Sequence, residues 1–155
     1  MLNAFEHQTE TSAFIAKQER CIITSDPGTG KTRSVLDAFN QAKGKNKMLV
    51  LAPLSILEAS WGDDIKKFTP NLKYAFSYAK DRHSAFTSDV DIVITNHDAV
   101  KWLDKNQHFL ESFNWICIDE FTAFKNKDSQ RSKAALRIGK HFERRIAMSG
   151  TPNSN

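Results

Sequence analysis

Cysteine is scarce in this chain of 155 residues, and long apolar runs are missing. Cys21 and Cys117 each lie in a short apolar stretch, with no cysteine or histidine at metal-ligand spacing. This pattern favours two buried thiols, typical of a reducing compartment, over a disulfide or a zinc site. No stretch approaches the roughly 20 apolar residues of a membrane span, and the N-terminus lacks the basic and apolar parts of a signal peptide. We therefore expect a cytoplasmic protein with no membrane partner.

Linkers and repeats are also missing. No low-complexity tract or stretch rich in Pro, Gly and Ser divides the chain, so we expect a single domain over residues 1–155. Neither sign of charge dominates, because 22 Lys and Arg against 18 Asp and Glu leave a net charge of +4. This balance permits a polyanionic partner without requiring one.

Six short apolar runs alternate with stretches of helical periodicity along the chain. Most of these runs are continuously apolar, which suits the strands of a parallel sheet covered by helices on both faces. The predicted strands lie at residues 20–25, 47–52, 72–77, 91–95, 115–119 and 144–149. The expected fold class is therefore α/β.

Two of the three predicted helices have clear end signals. The first spans residues 31–42 and is followed by Gly44, which suits the left-handed residue after a helix. Another spans residues 128–142, with Asp128 or Ser129 as its N-cap.

The remaining predicted helix spans residues 55–68. Ser55 and Glu58 have the spacing of a capping box at its start. Four apolar residues share one of its faces: Leu57, Trp61, Ile65 and Phe68. Trp61, like Trp102 and Trp115, is expected in the core and not as a platform for bases.

The stretch SDPGTGKT, residues 25–32, lies where a phosphate-binding loop belongs, between the first predicted strand and the first helix. Its glycines let backbone N–H groups turn toward an anion, Lys31 can reach the outer phosphates, and the Thr32 hydroxyl can bind Mg²⁺. Ser25 stands where the strict pattern has glycine, so the loop alone leaves an ordinary glycine-rich turn open. The predicted nucleotide-binding residues of the loop are Asp26, Pro27, Gly28, Thr29, Gly30, Lys31 and Thr32.

An acidic pair supports the loop. Asp119 and Glu120 end the apolar run WICI, and ligand groups in parallel sheets gather at the carboxyl ends of strands. Asp119 can hold Mg²⁺ while Glu120 orients and deprotonates an attacking water, since phosphoryl transfer depends on positioning and charge neutralisation. We therefore predict Lys31, Asp119 and Glu120 as catalytic residues, with Thr32 and Asp119 at the metal.

The chain resembles superfamily two helicases, and within them the Swi/Snf-type translocases of double-stranded DNA. Six stretches in order are similar to the Q motif and to motifs I, Ia, Ib, II and III of that family. They are AFEHQ, SDPGTGKT, LVLAPLSILEASWGDDIKKF, DIVITNHDAV, CIDEFTAFKN and RRIAMSGTPNSN. Phe121 and Thr122 stand where motif II usually continues with Ala-His.

The resemblance implies a three-layer RecA-like P-loop fold, with a mainly parallel central sheet and helices on both faces. It implies binding of ATP and Mg²⁺, and hydrolysis of ATP to drive movement on nucleic acid, expected to be double-stranded DNA in the cell interior. Gln8 would read the adenine, and the motif III residues Ser149, Gly150 and Thr151 would couple the nucleotide to movement. Ser55, Thr95 and Lys125 are the candidate contacts to the nucleic-acid backbone.

In that family a second RecA-like domain supplies arginine residues to the nucleotide. Residues 1–155 match the first domain, so we expect a second RecA-like domain as a partner, in the same or another chain. We expect the 155 residues alone to hydrolyse ATP slowly. Two alternatives stay open: a stand-alone nucleotide- or DNA-binding module or regulator without turnover, and a P-loop enzyme of another class such as a small-molecule kinase. The stretches SGTP and PLS, each after a predicted strand, have no role in a kinase.

Overall fold

The computed structural model describes residues 21–24 and 30–148, with side chains from Thr32 onward. A six-stranded sheet forms the centre of this part of the chain. The strands are β1 (Cys21–Thr24), β2 (Met48–Ala52), β3 (Tyr74–Ser77), β4 (Ile92–Asn96), β5 (Trp115–Ile118) and β6 (Arg144–Met148). All six strands were predicted, with ends that differ by at most two residues.

Every strand pair in the sheet is parallel, and the strand order is β1-β6-β5-β2-β4-β3. Parallel neighbours need crossover connections, which the helices between successive strands provide. The carboxyl ends of all six strands consequently lie along one edge of the sheet.

The helices are short, and several are single turns. The α-helices are α1 (Gly30–Gln41), α2 (Asp63–Phe68), α3 (His83–Phe86), α4 (Ala99–Lys105) and α5 (Gln130–Gly139). A π-helical turn covers Leu57–Gly62, and 3₁₀ turns cover Leu54–Ile56, Gln107–Leu110 and Phe121–Phe124. In length and apolar content, the helices of the described ranges fall short of what a bilayer crossing requires.

Two apolar clusters, one on each face of the sheet, form the core. Along β2, Met48 and Val50 join the cluster that contains α1 and residues 57–65, while Leu49 and Leu51 join the cluster that contains α3, α4 and α5. This alternation is the period of two that a strand imposes on its side chains. The expected three-layer arrangement, helices on both faces of a parallel sheet, is confirmed.

The end signals of α1 and α5 are confirmed as well. Gly44 has φ of +93°, a backbone conformation that side chains with a Cβ avoid. Ser129 is the N-cap of α5, and its hydroxyl accepts a hydrogen bond of 3.1 Å from the Ser132 N–H.

The segment 55–68 is not the single regular helix that its pattern predicts. It is divided into the 3₁₀ turn, the π turn and α2, although Leu57, Trp61 and Ile65 are buried as expected. The capping box is wrong: the Glu58 carboxylate accepts a hydrogen bond from the Tyr78 hydroxyl, and no side chain caps the segment's start. The reason is that a capping box needs a regular α-helical first turn, which a 3₁₀ turn followed by a π turn does not provide.

Candidate nucleotide-binding site

Three stretches of predicted site residues follow neighbouring strands in the chain order. The phosphate-binding loop follows β1, residues 149–151 follow β6, and Asp119 and Glu120 follow β5. These strands are adjacent and parallel, so their carboxyl ends share one edge, and β1 is two strand spacings, about 10 Å, from β5. The topology thus brings the end of β1 and the acidic pair to a common edge.

Many of the predicted ligands lie outside the described residues. The structure describes the backbone of Gly30 and Lys31 as the first turn of α1, as the loop pattern predicts, and the Thr32 side chain is 6% exposed. The predictions outside the described residues are those for Gln8, Asp26, Pro27, Gly28, Thr29, Ser149, Gly150 and Thr151. The first four backbone N–H groups of an α-helix have no partner within the helix, and its N-terminus carries a partial positive charge, so the start of this twelve-residue helix suits phosphate.

Asp119 is held from three directions. Its backbone N–H donates to the Leu51 carbonyl of β2 at 2.7 Å, and its carbonyl accepts from His97 Nε2 at 2.7 Å. Its Oδ2 accepts a buried hydrogen bond of 2.9 Å from the indole Nε1 of Trp61. The residue is only 3% exposed, so this carboxylate has a fixed position at the site.

His97 lies in the loop after β4 and is also buried. Burial lowers the pKa of its imidazole, while its hydrogen bond to Asp119 acts in the opposite direction. Because a carbonyl oxygen only accepts, Nε2 must carry the proton in this contact. The neutral ring with its proton on Nε2 is therefore the form that the structure favours.

Glu120 has a left-handed backbone, with φ of 57° and ψ of 60°. It is the one non-glycine residue with positive φ among the residues described. For an L-residue this conformation costs about 1–2 kcal/mol, and such strain concentrates at functional sites. The backbone turns out of the strand direction immediately after Asp119 and continues into the 3₁₀ turn Phe121–Phe124.

The side chains of Thr32 and Asp119 fit Mg²⁺ chemically. Both offer hard oxygen ligands, one hydroxyl and one carboxylate, and Mg²⁺ is commonly held by one or two protein oxygens together with waters and nucleotide phosphates. Both residues are nearly buried, which limits competition from bulk water. The donor set therefore agrees with a metal shared between protein and nucleotide.

The three candidate nucleic-acid contacts have different environments. Ser55, after β2, and Lys125, after the 3₁₀ turn Phe121–Phe124, are both exposed. The prediction for the Thr95 side chain is wrong, because it is fully buried. Its hydroxyl donates to the Ser77 carbonyl at 2.7 Å and accepts from Arg82 at 3.0 Å, so it is not available to a phosphate.

Sequence reasoning missed Trp61, His97 and Arg82 as site residues. Trp61 was expected in the core, where it is, but its indole also binds a predicted metal ligand. Arg82 donates to Thr95 and Asn96 at the end of β4, and burial lowers the pKa of its guanidinium. A polar side chain following a strand was the available signal for His97 and Arg82, whereas nothing in the pattern marked the indole N–H.

An open groove lies at the opposite, amino-terminal edge of the sheet. It has a volume of about 690 Å³ and is lined by residues from the end of α1 and from the loop before β4, including Phe39, Lys47 and Asp91. Burial lowers the pKa of Lys47 despite the neighbouring Asp89 and Asp91. Among the residues that the structure describes, the lining of this groove has none in common with the nucleotide site.

Comparison with known proteins agrees with this geometry. The family model described as "SNF2-related domain" matches residues 7–155. The "ATP-dependent helicase FUN30" of Saccharomyces cerevisiae is 30% identical over 148 residues, which is 87% of this chain and 13% of that protein. This chain thus spans a small part of that relative's length.

Two solved structures from Sulfolobus solfataricus are similar as well. The "SWI2/SNF2 ATPase core in complex with dsDNA" has a TM-score of 0.67 and 26% identity, covering 97% of this chain and 31% of that one. The "SWI2/SNF2 ATPase core domain" has a TM-score of 0.65 and 30% identity, covering 90% of this chain and 29% of that one. With the family model matched along almost the entire sequence, the chain belongs to the SNF2-related domain family.

Proposed function

We propose that this chain is the ATP-binding first RecA-like domain of a motor that moves on double-stranded DNA. The observation that carries the proposal is the common edge where β1 leads into α1 and β5 ends at Asp119 and Glu120. Similar proteins support it: one is named an ATP-dependent helicase, and one solved ATPase core is in complex with dsDNA.

The residues at this edge take distinct roles in the proposal. Lys31 and the N-terminal backbone of α1 bind the phosphates of ATP, while Thr32 and Asp119 bind the Mg²⁺ that accompanies it. When bound, the metal neutralises charge on the phosphates. Glu120 orients the attacking water and accepts its proton. Gln8 and residues 149–151 stay predictions for adenine recognition and for coupling.

The nucleic-acid contact belongs to the same edge. Ser55 and Lys125 are exposed on the loops after β2 and β5, so an elongated polyanion lying across these loops would contact both. Such contacts bind phosphate and do not read the bases, so we expect binding that is insensitive to sequence. A second RecA-like domain, in the same or another chain, would form the other wall of the groove.

Turnover in the presence of a second domain tests the proposal. We expect slow phosphate release by the 155 residues alone, because an arginine supplied from outside contributes about 10³ to 10⁵ in rate. Adding the second RecA-like domain of a family member should restore release that duplex DNA stimulates. Glu120→Gln should then lower the rate by about 10² or more, while exposed Glu143→Gln should leave it unchanged.

Two results would contradict this function. Release that stays at background with the second domain and DNA present, although ATP binds, would favour a binding module without turnover. Equal rates for Glu120→Gln and the unaltered protein would move the catalytic base to another residue.

A further inference from the structure

Trp61 contributes a hydrogen bond to this site in addition to a buried ring. Its side chain is 0% exposed in the cluster that contains α1, and its Nε1–H donates to Asp119 Oδ2 at 2.9 Å. A hydrogen bond to a carboxylate is stronger than one between neutral groups, and burial strengthens it further. The contact therefore restrains the orientation of the Asp119 side chain.

The backbone of Asp119 is fixed without Trp61. The Leu51 carbonyl accepts from its N–H, and His97 donates to its carbonyl, both at 2.7 Å. The freedom that remains to the residue is rotation of its carboxylate, which these two bonds do not restrain. The indole binds one oxygen of that carboxylate, so it determines the direction in which the group faces.

The helical segment is seated so that the indole reaches this position. Leu57 and Ile65, on either side of Trp61, are buried at 1% and 0% exposure. Gly62 allows close approach to β3, because a Cβ at that position would lie 2.8 Å from Phe76 Cζ. The π turn Leu57–Gly62 is of a type that is rare in proteins overall. Many of the π turns that do occur lie at functional sites.

We propose that Trp61 is a positioning residue for the metal: its indole N–H holds the Asp119 carboxylate in the orientation that binds Mg²⁺ together with the nucleotide. This inference rests on the proposed function. Groups that orient a metal ligand typically contribute 10- to 100-fold in metal affinity. The role differs from packing, since it depends on one N–H and not on the volume of the ring.

Trp61→Phe removes the N–H and keeps an aromatic ring in the core. Trp115→Phe is the matched control, because Trp115 belongs to the same cluster, is 3% exposed and contacts Phe39 and Arg144 through its ring. ATP affinity is measured by calorimetry for the unaltered chain and both variants, with Mg²⁺ and with a chelator. We expect Trp61→Phe to keep metal-free ATP binding and to lose about tenfold or more of the gain that Mg²⁺ gives. Trp115→Phe should keep that gain.

The calorimetry results distinguish a failure of the positioning role of Trp61 from a failure of the proposed function. A full Mg²⁺-dependent gain in Trp61→Phe, or an equal loss in both variants, would overturn the positioning role while the proposed function stands. An unaltered chain that binds ATP without any gain from Mg²⁺ would overturn the metal site and this inference with it.

The unaltered protein provides a second readout that does not depend on the folding of a variant. Its three tryptophans give three indole N–H signals in a nitrogen–proton NMR spectrum, which nuclear Overhauser effects to neighbouring protons assign. Adding Mg²⁺ to the ADP-loaded chain should shift the Trp61 signal and leave the Trp115 signal in place. A Trp61 signal that does not respond to Mg²⁺ would overturn the proposal.

Discussion

At the scale of single residues, Glu120 combines a predicted chemical role with an unfavourable backbone. Its left-handed φ of 57° is what glycine or asparagine adopts most readily, yet the position carries a glutamate. If stability alone determined this position, glycine or asparagine would be expected there. The simplest explanation for a glutamate is a role of its side chain. The strain therefore supports a catalytic role for Glu120 independently of the motif.

Glu120→Gly should stabilise the fold. Relief of the left-handed strain gains about 1–2 kcal/mol, from which the greater freedom of glycine in the unfolded chain removes about 0.4–1 kcal/mol. We expect the free energy of unfolding in urea to rise by up to about 1.5 kcal/mol. Glu143→Gly, at an exposed position with ordinary φ, should lower it. A lower unfolding free energy for Glu120→Gly than for the unaltered chain would show that Glu120 has a structural role.

At the scale of elements, the segment Leu54–Phe68 contributes to both sites proposed at this edge, the nucleic-acid contact and the metal site. Its first turn exposes Ser55, and its π turn directs Trp61 to Asp119. The sequence predicted the buried face but not the π turn. Spacings of four residues from Leu57 to Ile65 also fit one face of an ordinary α-helix, so this pattern could not reveal the π turn.

The pair α4 and α5 is joined by a bidentate ion pair on the other face of the sheet. Arg137 donates to the two carboxylate oxygens of Asp104 at 2.7–3.0 Å, and this contact is the main cause that lowers the pKa of Asp104. A carboxyl whose pKa is lowered by folding stabilises the fold above its unfolded pKa. That stabilisation is lost as the pH falls through the folded pKa.

Asp104→Asn should therefore lower the free energy of unfolding at pH 7, and the deficit should shrink as the pH falls below about 3.8. Urea unfolding at pH 7 and at pH 3 measures both effects. Exposed Asp128→Asn is the control and should show little change at either pH. A deficit of the same size at both pH values would indicate lost packing and not a lost ion pair.

At the scale of the whole molecule, the sequence predicted more of the fold than of the site. Runs such as Met48–Ala52 are continuously apolar, so the strands of a parallel sheet could be predicted from hydrophobicity. The order β1-β6-β5-β2-β4-β3 could not, because pairing between strands distant in the chain leaves no local pattern. The same limit concealed the contact between Trp61 and Asp119, which are 58 residues apart, and the burial of Thr95 behind Arg82.

The proposed polyanion contact predicts a steep dependence of binding on salt. Each phosphate contact releases counterions, so the affinity of the chain for duplex DNA should fall as salt rises. Lys125→Ala should weaken binding and reduce the slope of log affinity against log salt by about 1. Lys43→Ala, an equal change of charge beyond the far end of α1, should leave the slope unchanged. Affinity that is independent of salt would indicate a protein partner instead.

Calorimetric titration with ATP and Mg²⁺ tests the nucleotide site most directly. Lys31→Ala removes the charge assigned to the outer phosphates, and hydrogen bonds to charged groups contribute about 1.5–3 kcal/mol, so affinity should fall at least about tenfold. The control, Lys43→Ala, should bind like the unaltered chain, because Lys43 lies beyond the opposite end of α1. Equal ATP affinity for Lys31→Ala and the unaltered chain would contradict a nucleotide site at this edge of the sheet.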